Sequence, residues 1–101
     1  MAFYRSGSGG GKKVVENTFA YTTAYADQTI TISGLSSIDS VIVYYPSSAS
    51  VQCSAIVLNG TVYKDGYSAN PTDDTIVNIS GNQFTFKWQS ATSFNYIAYG
   101  N

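Results

Sequence analysis

The sequence predicts an all-β protein, a small antiparallel β-sandwich of six to eight strands preceded by a flexible glycine-rich N-terminal arm. From Val14 onward, β-branched and aromatic residues alternate with polar ones at the two-residue period of strands. Asn59-Gly60 and Gly81-Asn82 interrupt this pattern with pairs typical of tight hairpin turns. Turn signals at such short spacing are typical of antiparallel sandwiches or small barrels, and 101 residues suffice for one modest core.

The first thirteen residues, MAFYRSGSGGGKK, differ from the rest in composition. The segment SGSGGGKK contains no apolar residue, and glycine loses the most entropy on ordering, so residues 1–13 are predicted to form a flexible attachment arm. Within it, Phe3, Tyr4 and Arg5 are the candidate contacts to a partner. An artificial linker is the alternative, although MAFYR does not resemble a tag. Since the segment lacks the apolar run of a secretory signal, we expect synthesis in a cytoplasm without processing.

Residues 14–101 are predicted to form the sandwich domain, and its first half contains three strand patterns. VVENTFAY is a weak first strand, and QTITISGL follows with Ile30 and Ile32 on one face. The third, IDSVIVYYP, is apolar on both faces from Val41 to Tyr45, as expected of a central strand that is covered on both sides. Pro46 ends it because proline cannot donate to a β-ladder.

The second half contains two hairpins and a final strand. SAIVLNGTVY turns at Asn59-Gly60, and TIVNISGNQFTFKW turns at Gly81-Asn82. The last run, SFNYIAYG, is predicted to pair with QFTFKWQ and to lie inside the sheet. On this strand we assign Ile97 to the core and place Phe94 and Tyr96 at an oligomer interface.

The residue inventory argues against an enzyme. The chain has no histidine and one cysteine, which excludes the commonest general base and a structural zinc site. Cys53 lies in the apolar run VQCSAIVL, where a buried small hydrophobe is expected. Asp73 and Asp74 could act with Asp65 or Asp39 in glycoside hydrolysis or calcium binding, but a solvated turn is the simpler interpretation. We therefore predict no catalytic residue, no metal and no cofactor.

Charge and hydropathy exclude two further classes of partner. The net charge of the chain is −1. Residues 14–101 contain two lysines and six acidic residues, so this part has a net charge of −4. A body of that sign does not suit a nucleic-acid backbone. No apolar run approaches the roughly 18 residues of a membrane helix, so no membrane insertion is predicted.

Nine tyrosines among many Asn, Ser and Thr residues are the positive signal for binding. A tyrosine ring can stack on a sugar or fill a protein interface, although most of the nine are expected in the core and its rim. The region between the two hairpins has few apolar residues, and surface loops often carry function. The candidate ligand-binding residues there are Tyr63, Asp65, Tyr67, Asn70 and Asp73.

The order ITISGLSSIDSVIVYYP, a hairpin region, then FTFKWQSATSFNYIAYG resembles the H-type lectin domain over about residues 17–100. Phe84, Phe86 and Trp88 match the family's F-x-aromatic-x-W strand, and Tyr96–Gly100 matches its final W-I-A-x-G with tyrosine in place of tryptophan. The resemblance implies a six-stranded antiparallel sandwich that forms a homotrimer and binds N-acetylgalactosamine-like sugars. The family's sugar-contacting polar and basic residues have no one-to-one match here.

A second resemblance covers both ends of the chain. A start of the type MAFYRSGSGGG followed by a small β domain closing on YIAYG is similar to bacteriophage virion proteins of the tail-fibre, minor-tail or head-decoration kinds. It implies a location on the virion surface and contacts with other virion proteins. The expected function is non-enzymatic, a homotrimeric tail appendage that recognises host-surface carbohydrate. The alternative is a structural decoration or adaptor protein that is anchored through its arm.

Overall fold

A computed structural model describes residues 11–47, 51–66 and 75–101, and these form an all-β fold of eight strands. The predicted arm contacts Phe3, Tyr4 and Arg5 lie outside the described residues. The strands, in chain order, are β1 Lys13–Tyr21, β2 Gln28–Thr31, β3 Ile38–Tyr44, β4 Val51–Leu58, β5 Thr61–Gly66, β6 Thr75–Ser80, β7 Gln83–Lys87 and β8 Thr92–Gly100.

The strands form two antiparallel sheets that enclose one core, so the predicted fold class is confirmed. The larger sheet has the order β1-β8-β3-β4-β5, and the smaller has the order β2-β7-β6. Every strand pair in the described ranges is antiparallel. The count of eight differs from the six strands that the lectin resemblance implies.

Both predicted hairpin turns are confirmed, and their backbone angles explain their residues. Asn59 and Gly60 have φ values of 52° and 79°, the two left-handed positions of a type I′ turn. Gly81 has a φ of 60°, as required of the first central residue of a type II′ turn between β6 and β7. Asparagine and glycine tolerate this region best, so the sequence places both turns reliably.

Aromatic rings fill the core between the sheets. Phe84 and Phe86 of β7 meet Phe94 and Tyr96 of β8 from the opposite sheet, with ring centroids 4.9 Å apart for Phe86 and Phe94 and 5.5 Å apart for Phe84 and Tyr96. Trp88 stacks on Phe86 at 5.7 Å. These edge-to-face and offset arrangements are the preferred geometries of aromatic pairs.

The prediction for the last strand is right about its position inside a sheet, and wrong about its partner strand and about which of its residues are buried. Strand β8 lies inside the five-stranded sheet, between β1 and β3. It does not pair with β7, because the inward rings of the two strands face each other across the core. Phe94 and Tyr96 are buried in that core, so they cannot line an oligomer interface, whereas Ile97 lies on the opposite face and is only half-buried.

The chain end is bonded into the loop that precedes β3. The Ser36 backbone N–H donates to the Asn101 carbonyl oxygen at 2.6 Å, and the Asn101 N–H donates to the Ser37 carbonyl at 3.1 Å. Position 100 must be glycine for this approach, because a Cβ there would lie 1.9 Å from the Ser37 carbonyl oxygen. The end of β8 is therefore ordered by the same hydrogen bonds that fix the turn into β3.

Candidate functional site

The predicted ligand-binding residues fall only partly within the described structure. Tyr63 and Asp65 lie on β5, where they pair with Ile56 and Ser54 of β4. Both positions are within a strand and not in a loop. Tyr67, Asn70 and Asp73 lie outside the described residues.

The outer faces of the two sheets have opposite character. The outward residues of the three-stranded sheet are polar, and they are Thr29, Thr31, Asn78, Ser80, Gln83, Thr85 and Lys87. On this face Thr29 and Thr85 exchange a hydroxyl hydrogen bond at 3.1 Å. Such a surface is already suited to water.

The outer face of the five-stranded sheet carries most of the exposed apolar side chains, with Ser40 and Ser54 lying among them. In the described part of the chain eight large apolar or aromatic side chains are exposed, and seven of them lie here. With the half-buried Tyr44 and Ile97, they define the apolar outer face: Val14, Ile42, Tyr44, Val51, Ile56, Leu58, Tyr63, Ile97 and Tyr99. Isolated exposed apolar residues are ordinary, but a continuous apolar surface is typical of an interaction site.

Two shallow depressions lie on this face, on either side of Ile42. The first, of about 330 Å³, is lined by Ile42, Ile56 and Tyr63 with the polar residues Ser40, Ser54 and Lys64 at its border. The second, of about 310 Å³, is lined by Ile42, Tyr44, Val51 and Ile97. Ile42 is 38% exposed at the middle of β3, the central strand, and it therefore forms the ridge between them.

Hydrogen bonds satisfy the polar groups at the border of the face. The Tyr44 hydroxyl donates to the Glu16 carboxylate at 2.9 Å and so bridges from β3 to β1 across β8. This bond raises the pKa of the Tyr44 hydroxyl above its usual value, because loss of the proton would place two negative oxygens together. Thr18 Oγ1 donates to Asn95 Oδ1 at 2.6 Å. The Glu16 carboxylate at the face thus already has a donor.

An ion pair lies beside the start of β1. Lys12 Nζ is 2.5 Å from Asp39 Oδ2, and both side chains are about one third exposed or more. At that exposure the pair contributes little to stability, at most about 1 kcal/mol. It does show that Lys12, assigned to the arm from the sequence, contacts the domain, and that β1 already begins at Lys13.

The described residues offer little material for catalysis or metal binding. They contain no group of three His, Cys, Asp or Glu side chains arranged to hold a metal ion. Cys53 is buried in the core, as its apolar run predicts. Within the same residues no helix is long and apolar enough to cross a membrane.

The comparisons with known proteins identified no relative: no protein-family model, curated protein or solved structure matches the chain. The function must therefore be argued from the chemistry of the site.

Sequence reasoning missed the apolar outer face, although a signal for it was present. The run Val41–Tyr45 is apolar at successive positions, which we interpreted as a strand that the chain itself covers on both sides. Strand β3 is indeed central, and Val41 and Val43 are buried in the core. Ile42 points outward, and none of the described residues covers it. The two-sided apolar pattern therefore signals a surface that the described residues leave partly exposed.

Proposed function

We propose that the chain is a non-enzymatic structural component of a bacteriophage virion, a decoration or adaptor protein that docks through the apolar outer face. The observation that carries the proposal is the concentration of exposed apolar side chains on one sheet of the sandwich. Leaving such a surface in water costs about 25 cal/mol for every Å² that an interface would bury. The virion assignment rests on the resemblance of the two chain ends to phage surface proteins.

The composition of the face favours a protein partner over a sugar. Sugar binding requires several convergent hydrogen-bonding groups in addition to an aromatic surface. Around the first depression the side-chain candidates are Ser40, Ser54 and Lys64, and the Lys64 ammonium already donates to the Val77 carbonyl at 3.3 Å. Isoleucine, valine, leucine and tyrosine side chains instead match the apolar centre of a protein interface.

The test is incorporation into particles. Mass spectrometry of purified virions from the phage that encodes the chain should detect it, and virions assembled with Ile56→Glu should contain little of it. Ile56 is 44% exposed, so a charge there changes the surface with little effect on folding. Ser80→Glu places the same charge on the polar outer face and should be incorporated normally. Absence of the wild-type chain from virions would refute the proposal.

A second candidate is the homotrimeric tail appendage that recognises host-surface carbohydrate. Tyr63 favours it, because its ring is 55% exposed beside Ser40 and Ser54, where a sugar could stack and hydrogen-bond. A glycan array with the full chain should then show saturable binding that Tyr63→Ala abolishes. Tyr25→Ala is the matched control, since Tyr25 is 57% exposed in a loop away from that face.

A further inference from the structure

We infer that the apolar outer face is covered by the same face of a second copy of this chain, in a two-fold symmetric dimer. The inference rests on the proposed function, because it identifies the first partner of the docking surface. In such a dimer the two five-stranded sheets would pack face to face, with their polar three-stranded sheets outermost. On its two outer layers the dimer would present the polar outward residues described above for the three-stranded sheet.

The size of the face meets the requirement of a stable interface. Strands lie about 4.8 Å apart and rise about 3.3 Å per residue, so five strands of about seven residues cover roughly 24 by 23 Å, or about 550 Å². Projecting side chains raise the accessible area above this flat value. Stable interfaces begin at about 600 Å² per partner, so a stable contact must use the whole face with its projecting side chains.

The charge of the face favours a copy of itself over a charged partner. The acidic residues with the register of this face are Glu16 on β1 and Asp65 on β5, the two edge strands, and Tyr44 donates to the Glu16 carboxylate. The centre of the face, on β8, β3 and β4, is complementary to itself, because apolar contact needs no pairing of opposite charges. A basic or acidic partner would find little here to recognise.

The position of Ile42 predicts the geometry of the contact. It lies on the central strand and forms the ridge between two apolar depressions of similar volume. In a two-fold interface the patch meets its own copy, and residues near the axis contact their own symmetry mates. Sheets packed face to face at about 10 Å interdigitate their side chains, so the Ile42 ridge of each copy fills a depression of the other.

The first experiment measures the mass of the full chain by sedimentation equilibrium at micromolar concentrations. We expect two chains per particle. Ile42→Glu should weaken the association about 100-fold or more, since two like charges then face each other near the axis. Thr85→Glu places the same charge at the middle of the polar outer face and should leave the dimer intact. A monomeric wild type, a trimer, or an unaltered Ile42→Glu dimer would each overturn the inference.

A charge-swap experiment tests the symmetry itself. Ile42→Glu and Ile42→Lys should each be monomeric alone, and their mixture should form a heterodimer because the two substituted residues meet across the axis. Circular dichroism and a urea midpoint near that of wild type establish that each variant is folded. If either Ile42 variant does not fold, the pair Ile56→Glu and Ile56→Lys replaces it. No rescue by mixing in either pair would overturn the two-fold contact.

The outcomes separate this inference from the proposed function. A wild-type monomer that enters virions, and is lost from them on Ile56→Glu, would leave the structural role standing and remove the dimer. A two-fold dimer of a chain that is absent from virions would establish the contact and remove the virion role.

Discussion

Among the glycines that the structure describes, Gly100 has the least room for a Cβ. A Cβ at this position would lie 1.9 Å from the Ser37 carbonyl oxygen, which is itself held by the Asn101 N–H. We predict that Gly100→Ala lowers the free energy of unfolding by about 3 kcal/mol, because strand β8 or the Ser37 turn must shift. Urea denaturation followed by tryptophan fluorescence measures this change.

The control for this prediction is Gly11→Ala. No atom lies within 4 Å of a Cβ built on Gly11, so its substitution should leave the urea midpoint unchanged. Equal stability of the Gly100→Ala and wild-type proteins would contradict the close approach of the two backbone segments.

Tyr21 is a core residue whose hydroxyl group makes several hydrogen bonds to the backbone. Its buried hydroxyl accepts a hydrogen bond from the Trp88 backbone N–H at 3.0 Å and donates to the Ala26 carbonyl at 2.5 Å. Tyr21→Phe would leave the Trp88 N–H buried without its acceptor, at a cost of about 1–3 kcal/mol in unfolding free energy. Urea denaturation of the variant tests this.

Tyr25→Phe is the comparison for Tyr21→Phe, because Tyr25 is 57% exposed and water can replace its hydroxyl contacts. We expect the free energy of unfolding of Tyr25→Phe, from urea denaturation, to lie within about 0.5 kcal/mol of the wild-type value, as for ordinary surface changes. Equal effects of the two substitutions would show that the Tyr21 hydroxyl has no special structural role.

At the scale of the element, strand β8 holds the larger sheet together. It pairs with β1 along its whole length on one side and with β3 on the other. Truncation after Ser93 removes Phe94, Tyr96 and Ala98 from the core, leaves β1 without a partner strand and leaves β3 paired on one side only. We predict that the truncated chain does not fold, with no cooperative transition in urea and a random-coil amide spectrum by NMR.

Deletion of Asn101 alone is the control for that truncation. It removes the hydrogen bonds to Ser36 and Ser37 but keeps every β8 ladder bond, so the shortened chain should remain folded at reduced stability. A soluble chain ending at Ser93 that unfolds cooperatively would refute the central role of β8.

At the scale of the whole molecule, burial of Tyr96 makes stability depend on alkaline pH. Desolvation raises the pKa of the Tyr96 hydroxyl above its ordinary value of about 10, and a hydrogen bond with Asn17 partly opposes this. Between the unfolded and folded pKa values the unfolded chain has lost a proton that the folded chain retains. The stabilisation is therefore complete below about pH 10 and declines as pH rises through the folded pKa.

The measurement is urea denaturation of wild type and Tyr96→Phe at several pH values from neutral to about 11. The variant keeps the ring in the core but cannot ionise, so the difference in unfolding free energy, wild type minus variant, should fall above about pH 10. The neutral-pH difference sets the baseline, since it contains the lost hydrogen bond. A difference that stays constant to the highest pH would contradict the burial of this hydroxyl in the folded protein.

The sequence by itself determined the strands and the turns. Alternation of polar and apolar residues is a local property, and the left-handed angles of Asn59, Gly60 and Gly81 depend on their own side chains. The shared face of Ile30 and Ile32 was predicted for the same reason, and both pack against the core. No sequence pattern placed β8 correctly beside β1 and β3, because strand neighbours depend on contacts between distant residues.

Only the tertiary structure decided which sides of the strands meet. Phe94 and Tyr96 belong to the core because the two sheets close over them, and Ile97 and Tyr99 are left outside. The same closure leaves Ile42 uncovered in a run that reads as buried on both faces. Burial of an apolar side chain lowers the free energy whichever molecule buries it. The residue type therefore does not indicate whether the burying residues belong to the same chain or to another.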